Sequence, residues 1–84
     1  MPSEEEFRRF ANYSRRKGIQ SLRSEKDHVI GLKSRNRHCM HWLEIGMSDE
    51  AEDYLEELED KMNELDTYIA ILDIIIKEKS RAND

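Results

Sequence analysis

Several features that often identify a protein class are scarce in this sequence. Among its 84 residues are one proline, three glycines and one cysteine, Cys39. A lone cysteine excludes an internal disulfide and is typical of a reducing cytoplasm. The first six residues hold three glutamates and no apolar stretch, so we expect no signal peptide. The longest apolar stretch, residues 69–76, contains Asp73 and is far shorter than the roughly 20 residues of a membrane span. These features predict a cytoplasmic protein without a membrane partner.

Motifs of catalysis are also missing. The sequence has no Ser/His/Asp or Cys/His arrangement with an orienting group and no glycine-rich phosphate loop. His38-Cys39-Met40-His41 resembles part of a zinc site, but zinc normally takes four ligands and no second cluster follows. We therefore expect no enzyme activity, no metal and no cofactor. We expect Cys39, Met40 and Trp42 to pack inward, and His38 and His41 to lie among the arginines.

Charge divides the chain into two halves of opposite sign. Residues 1–42 hold ten Lys/Arg and five acids, whereas residues 43–84 hold four Lys/Arg and fourteen acids. The formal net charge of −5 conceals this division. A basic half predicts a polyanion partner, and an acidic half predicts either self-association or shielding of the basic half.

The scarcity of proline and glycine, without alternating apolar and polar runs, predicts an all-α fold of three to four helices. We expect one small domain over residues 1–84, with a basic helical part (1–45) and an acidic dimerisation helix (46–84). Ser3 and Glu6 form a capping box for the first helix. Gly18 is predicted to end that helix in the left-handed conformation. Its inward face is predicted to hold Phe7, Phe10, Ala11 and Ser14.

The second helical segment is less regular. It is predicted to start near Ser21 or Ser24 and to run to Ile45. Its apolar seam recurs every seven residues, at Leu22, Val29, Asn36 and Leu43. Because Gly31 and the polar residues 34–37 interrupt this seam, the sequence is compatible with one irregular helix or with two short ones broken near residues 31–37. Gly46 and Ser48 are predicted to separate this segment from the third helix.

The third segment carries the clearest periodicity. Apolar residues at alternating spacings of four and three form a heptad stripe: Ala51, Leu55, Leu58, Met62, Leu65, Ile69, Leu72 and Ile76. A helix over residues 49–79 would be about 45 Å long, whereas a compact globule of this size is about 30 Å across. The helix would therefore overhang its own fold. We expect an intertwined homodimer whose interface comprises Leu55, Leu58, Met62, Leu65, Ile69, Leu72 and Ile76.

An acidic row flanks the heptad stripe at Glu52, Glu59, Asp66 and Asp73. It is compatible with a parallel or an antiparallel pair of third helices. It is equally compatible with the acids facing the basic second segment of the same or the other chain. The sequence leaves these alternatives open.

The basic residues are the best candidates for a binding function. Guanidinium groups donate paired hydrogen bonds to phosphate and keep their charge. The sequence therefore predicts non-catalytic nucleic-acid binding, with RNA favoured over DNA because the acidic half would repel a long duplex. The predicted nucleic-acid-binding residues are Arg8, Arg9, Arg15, Arg16, Lys17, Arg23, Lys33, Arg35 and Arg37. Two other interpretations stay open: a solvated face that pairs with the acidic half, and a basic face that docks a protein.

The acidic half supports an alternative from another class. Acids crowd the start of the third helix at Asp49, Glu50, Glu52, Asp53, Glu56, Glu57, Glu59 and Asp60. Such a surface is most simply a solvated helix face. It also fits a protein-binding inhibitor of a host factor that imitates the charge of a nucleic acid.

Two resemblances accompany these predictions. Glu64-Leu65-Asp66 and Ile69 are similar to the Ser-Gln-Glu-Leu-Asp signature of small sporulation-type aspartyl-phosphate phosphatases. Met62 and Asn63 replace the Ser and Gln of that signature, so no phosphatase activity is inferred. In its overall style, short, charge-dense and poor in motifs, the whole chain resembles the small host-takeover proteins of lytic Bacillus phages. This resemblance implies a viral protein that binds host nucleic acid or host protein and alters host gene expression.

Overall fold

Three helices make up most of the chain. The structure is a computed structural model that describes residues 3–46 and 49–82. Helix α1 spans Glu4–Arg15, α2 spans Ile19–Gly46 and α3 spans Asp49–Ala82, and none of the described residues forms a strand. The predicted all-α fold is confirmed, with three helices arranged in a rod of 53 × 23 × 14 Å. Over the described residues, no helix is both long enough and apolar enough to cross a membrane.

Helix α1 begins as predicted. The Ser3 hydroxyl accepts a hydrogen bond from the Glu6 amide at 3.3 Å and so caps the helix. Three glutamates in the first turn lie at the positive end of the helix dipole. The predicted inward face is also the observed one, because Phe10 and Ala11 pack against the core and Ser14 is fully buried.

The turn between α1 and α2 differs from the prediction. Helix α1 ends at Arg15, and the amides of Arg16 and Lys17 donate to carbonyls in its last turn. These bonds close the helix without a left-handed residue, so Gly18 has no positive φ and the predicted left-handed end was wrong. The Gly18 carbonyl instead accepts the Leu22 amide at 3.1 Å and opens α2.

Helix α2 is one continuous helix, which decides between the two alternatives that the sequence left open. It begins at Ile19, before the predicted Ser21, and continues through Gly31. Asn36, the polar member of the seam, donates from Nδ2 to the Leu58 carbonyl of α3 at 2.9 Å. The seam can therefore pack against α3 at Asn36, because the polar group there has a hydrogen-bond partner on that helix. The predicted cap at Ser48 lies outside the described residues.

Helix α3 runs antiparallel to α2 and is three residues longer at its end than predicted. Lys26 pairs with Asp73, and Lys33 pairs with Asp66, each at 2.5 Å. Both lysines and both aspartates are seven residues apart, so the same ion pair recurs in two successive heptads. For Asp66 and Asp73, the acidic row thus faces the basic second segment of the same chain.

The core lies at the end of the rod where all three helices meet. Its buried apolar residues are Leu22, Val29, Leu65, Leu72 and Ile75. The Tyr68 ring of α3 packs edge-on against Phe7 and Phe10 of α1, with ring centroids 5.3 and 4.6 Å apart. Each such pair contributes about 0.5–1.5 kcal/mol beyond burial. Helix α1 also reaches Glu78 through Arg15, and therefore covers only the second half of α3.

The other half of the rod contains α2 and α3 alone. Here Leu55, Leu58 and Met62 are partly exposed, whereas Leu65 and Leu72 of the same heptad stripe are buried within one chain. The predicted overhang of α3 was overestimated because the fold is a rod rather than a globule, and α2 lies along α3. Within the stripe, Leu55, Leu58 and Met62 therefore keep accessible apolar surface.

Candidate nucleic-acid interface

The nine predicted nucleic-acid-binding residues occupy three places in the structure. Arg8, Arg9 and Arg15 lie on α1, Arg16 and Lys17 in the following turn, and Arg23, Lys33, Arg35 and Arg37 on α2. Five make ion pairs: Arg8 with Glu4, Arg9 with Glu5, Arg15 with Glu78, Lys17 with Glu25, and Lys33 with Asp66. Arg16, Arg23, Arg35 and Arg37 have no acidic partner among the described residues. Of the nine, only these four arginines offer unpaired charge.

The arginines in the middle of α1 are paired on the surface. Arg8 lies 3.5 Å from Glu4 and Arg9 lies 2.9 Å from Glu5, each pair spanning one helical turn. Exposed pairs at this spacing are worth about 0.3–0.5 kcal/mol, so either arginine would exchange its partner for a phosphate at low cost. The neighbouring glutamates nevertheless cancel the local charge, and this part of α1 is not a net basic surface.

Two of the predicted cations serve the fold. Lys17 donates to Glu25 at 2.8 Å, and its ammonium lies 4.6 Å from the centroid of the Tyr13 ring. The hydrogen bond to Glu25 raises the pKa of Lys17 against a smaller, opposing effect of desolvation. Lys33 pairs with Asp66 and helps to set the register of α2 against α3. Either ammonium group would have to leave its carboxylate before it could bind a ligand.

Unpaired positive charge concentrates on the exposed side of α2. Residues 28–43 hold three cations and all three histidines of the chain, and no acid. Six exposed residues between positions 34 and 45 follow one another at alternating spacings of three and one, which places them on one side of the helix. They are termed the outer stripe of α2: Ser34, Arg37, His38, His41, Trp42 and Ile45. Arg35 lies beside the stripe, three residues before His38.

The outer stripe has a surface shape that suits an extended ligand. Ser34, Arg37, His38 and His41 line one shallow pocket. A neighbouring pocket continues toward α3 and is lined by Ile30, Lys33, Ser34, Arg37 and Ile69. Because both pockets share Ser34 and Arg37, together they form a shallow groove along α2 with Arg37 at its middle. The prediction that His38 and His41 lie among the arginines agrees with this arrangement.

The outer stripe of α2 borders α3 at one end and turns away from it at the other. The seam of α2, with Leu22 and Val29 buried, faces α3. Ser34 and Arg37 flank this seam, because they line a pocket together with Ile69 of α3. The other members of the stripe are exposed farther round the helix.

Trp42 lies at the far end of the stripe and corrects a prediction. It is 61% exposed, and Cys39 is exposed as well, whereas both were expected to pack inward. The seam explains the exposure of both side chains. Because Asn36 and Leu43 face α3, the helical spacing directs Trp42 and Cys39 away from it. The indole Nε1 donates to Nε2 of His38 at 2.9 Å. This bond holds the indole ring against the preceding turn of α2.

The histidines do not form a metal centre with their neighbours. Over residues 3–46 and 49–82, no group of three or more His, Cys, Asp or Glu side chains is arranged to hold a metal ion. His38, the first histidine of the suspected zinc fragment, is engaged by Trp42 instead. The arrangement supports binding of an anion by charge and of a planar group by the indole.

In comparisons with known proteins, no family model, no curated protein and no solved structure matches this chain. Its function is therefore inferred from its own residues. Sequence reasoning missed the outer stripe as a unit, although the signal was present. The seven-residue seam through Leu22 and Asn36 indicates the inward side of α2, and the spacing from Ser34 to Ile45 marks an exposed side.

Proposed function

We propose that this protein is a non-catalytic RNA-binding protein whose interface is centred on Arg35, Arg37 and the outer stripe of α2. One observation carries the proposal: a continuous, exposed helix bears two arginines without acidic partners in a 16-residue stretch, 28–43, free of acids. Unpaired guanidinium groups bind phosphate in bidentate fashion. Arg16 and Arg23 add unpaired charge toward the other end of the rod.

Short structured or single-stranded RNA fits this surface better than duplex DNA. The stripe from Ser34 to Ile45 is about 17 Å long at the helical rise, and beyond it the chain carries the acids of α3. A duplex extending past the stripe would meet those acids, whereas a flexible strand can follow the stripe. The proposed setting, a viral modulator of host gene expression in the host cytoplasm, rests on the resemblance to phage host-takeover proteins.

The proposal includes a homodimer. Leu55, Leu58 and Met62 are partly exposed where the rod has only two helices, and a second copy would cover them. Sedimentation equilibrium is expected to give a dimer for the natural chain and a monomer for Leu55→Glu. Ala70→Glu, an exposed position in the three-helix half, is the matched control and should leave the dimer intact. A natural chain that sediments as a monomer at all concentrations would remove this part of the proposal.

A second candidate function is supported by the acids at the start of α3. Six exposed acids have no cationic partner among the described residues: Glu52, Asp53, Glu56, Glu57, Glu59 and Asp60. Their unpaired charge suits a basic protein surface. The protein would then act as an inhibitor of a host factor.

Fluorescence anisotropy with labelled oligonucleotides tests the RNA proposal. Single-stranded RNA, hairpin RNA and duplex DNA would be titrated with the natural chain and with Arg35→Gln/Arg37→Gln. Each phosphate of a single strand that is no longer neutralised weakens binding about five-fold at 0.1 M salt, so the double variant should bind about 25-fold more weakly. The matched control is Lys77→Gln/Arg81→Gln, which removes the same charge about 20 Å along the rod.

The outcomes of this titration separate the two candidate functions. Weaker binding by the α2 variant, with the control close to the natural chain, supports the proposed interface. Equally weak binding by both variants would show that the whole rod attracts RNA without a defined site. If no RNA binds even at low salt, the proposal fails and the acidic surface of α3 becomes the better candidate.

A further inference from the structure

We infer that Trp42 is a stacking platform for an unpaired RNA base, beside the arginines that hold the phosphates. The inference rests on the proposed function and deepens it, because it names unpaired nucleotides as the ligand class. It also assigns a function to Trp42, whose side chain the packing of α2 on α3 leaves exposed. Every aromatic base has a face that stacks on indole, so the stacking would tolerate any sequence.

The environment of Trp42 leaves the indole open. The side chain is 61% exposed, although tryptophan is on average among the more buried residues. Its hydrogen bond to His38 engages the edge of the ring. The rings of His38 and His41 make angles of 78° and 68° with the indole, so neither is stacked parallel to it. The indole is thus held at one edge, and most of its side chain is accessible.

The charges around Trp42 select an anionic ligand. Arg35 lies seven residues before Trp42, about two helical turns, so both side chains project from the same face of α2 about 10.5 Å apart along its axis. Arg37, five residues before Trp42, is turned about 140° around the helix from it. His38 and His41 are next to the indole. Glu44 is the one acid in residues 28–48. A base on the indole would therefore place its 5′ or 3′ phosphate beside positive charge.

The other exposed aromatic side chains of the described residues lack this combination. Tyr13 is 59% exposed, but the ammonium of Lys17 lies over its ring, and Lys17 is paired with Glu25. Tyr54 is 49% exposed on α3, where Asp53 precedes it and Glu56 and Glu57 follow within three residues. An exposed aromatic side chain with an unpaired arginine on the same helix face occurs at Trp42, where that arginine is Arg35.

The chain offers its own reporter for stacking, because Trp42 is its single tryptophan. The experiment titrates the full chain with a single-stranded RNA dodecamer and follows tryptophan emission and anisotropy of the labelled strand together. Stacking is expected to quench Trp42 with the same dissociation constant that anisotropy gives. Trp42→Leu should weaken binding about 5- to 150-fold, the range for removal of one stacked base.

Variants separate stacking from charge. Trp42→Tyr retains an aromatic face and is expected to keep most of the affinity, and Tyr54→Leu is the matched aromatic control with no expected effect. The salt dependence of binding should be unchanged in Trp42→Leu, because the same phosphates stay neutralised, whereas Arg35→Gln/Arg37→Gln should reduce it. A structural role for Trp42 would instead lower the melting temperature of Trp42→Leu, measured by circular dichroism.

Failure of this inference differs from failure of the proposed function. Salt-sensitive RNA binding with unchanged tryptophan emission, and natural affinity in Trp42→Leu, would overturn the stacking platform and leave the arginine interface standing. Equal affinity for single-stranded RNA and a fully paired duplex would overturn it as well. Absence of RNA binding by either readout would overturn both.

Discussion

Truncation of Leu72, at the three-helix end of the rod, is predicted to destabilise the fold strongly. This side chain is 0% exposed and packs where all three helices meet, whereas Ile74, two residues on, is 56% exposed on the outer side of the same helix. Truncating a buried leucine to alanine costs about 2.7–5.0 kcal/mol. Because the core is small and open at its edges, we expect about 3 kcal/mol for Leu72→Ala. Ile74→Ala should cost about 0.5 kcal/mol or less, since little apolar surface is buried there.

Thermal and urea unfolding followed at 222 nm test this difference. An 84-residue chain has a total stability of about 4–13 kcal/mol, so the destabilisation at Leu72 is a large part of it. At about 5 °C per kcal/mol for a domain of this size, Leu72→Ala should melt about 15 °C lower and Ile74→Ala within about 3 °C of the natural chain. Equal shifts for the two variants would refute the assignment of Leu72 to the core.

Three further predictions concern single groups. The Ser14 hydroxyl is buried without a hydrogen-bond partner, so Ser14→Ala should raise the free energy of unfolding, measured in urea, by about 1 kcal/mol or more. The exposed control Ser24→Ala should raise it by about 0.5 kcal/mol, and a Ser14→Ala variant less stable than the natural chain would contradict the prediction. Lys33 and Asp66 form a partly exposed pair, and a double-mutant cycle should give a coupling of about 0.2–1 kcal/mol that disappears in 1 M salt; coupling that persists would contradict screening. Burial and neighbouring carboxylates raise the pKa of Tyr68 above 10.0, so the folded state holds this proton to higher pH than the unfolded state and stability should fall as pH rises beyond 10. Tyr68→Phe should reduce that fall, and a pH profile unchanged by Tyr68→Phe would contradict the prediction.

Local patterns were sufficient to predict most of the helices. The spacing from Ala51 to Ile76 predicts α3 because a heptad repeat has meaning only on a helix, and Ser3 with Glu6 predicts the start of α1. The sequence left the continuity of α2 open, because the partner of the polar seam residue Asn36, the Leu58 carbonyl, lies 22 residues away. Contacts between distant segments decide what local propensity leaves open.

The candidate site divides in the same way. Its charge was predictable, because Arg35 and Arg37 are visible in the sequence, but which cations are unpaired depends on the partners that folding supplies. Lys33 meets Asp66 only through antiparallel packing of α2 on α3. The outward position of Trp42 was predictable, because the seven-residue seam indicates the inward side of α2 and Trp42 lies off that seam. The pairing of charges is a tertiary property.

The charge division of the sequence also has a structural meaning. Because α2 and α3 are antiparallel neighbours, the basic and acidic halves lie side by side along the rod, and some of their charges neutralise one another at Lys26–Asp73 and Lys33–Asp66. Two oppositely charged surfaces keep unpaired charge: the outer stripe of α2 and the start of α3. The two candidate functions are assigned to these surfaces.

The measurement that tests the central claim most directly is the salt dependence of RNA binding. The logarithm of the binding constant for a single-stranded dodecamer would be plotted against the logarithm of salt concentration for the natural chain and for Arg35→Gln/Arg37→Gln. A slope that becomes shallower by about 1.4 in the variant is predicted, about 0.7 for each phosphate that the variant no longer neutralises. Identical slopes for the two proteins, or no binding by the natural chain, would contradict an RNA interface at the outer stripe of α2.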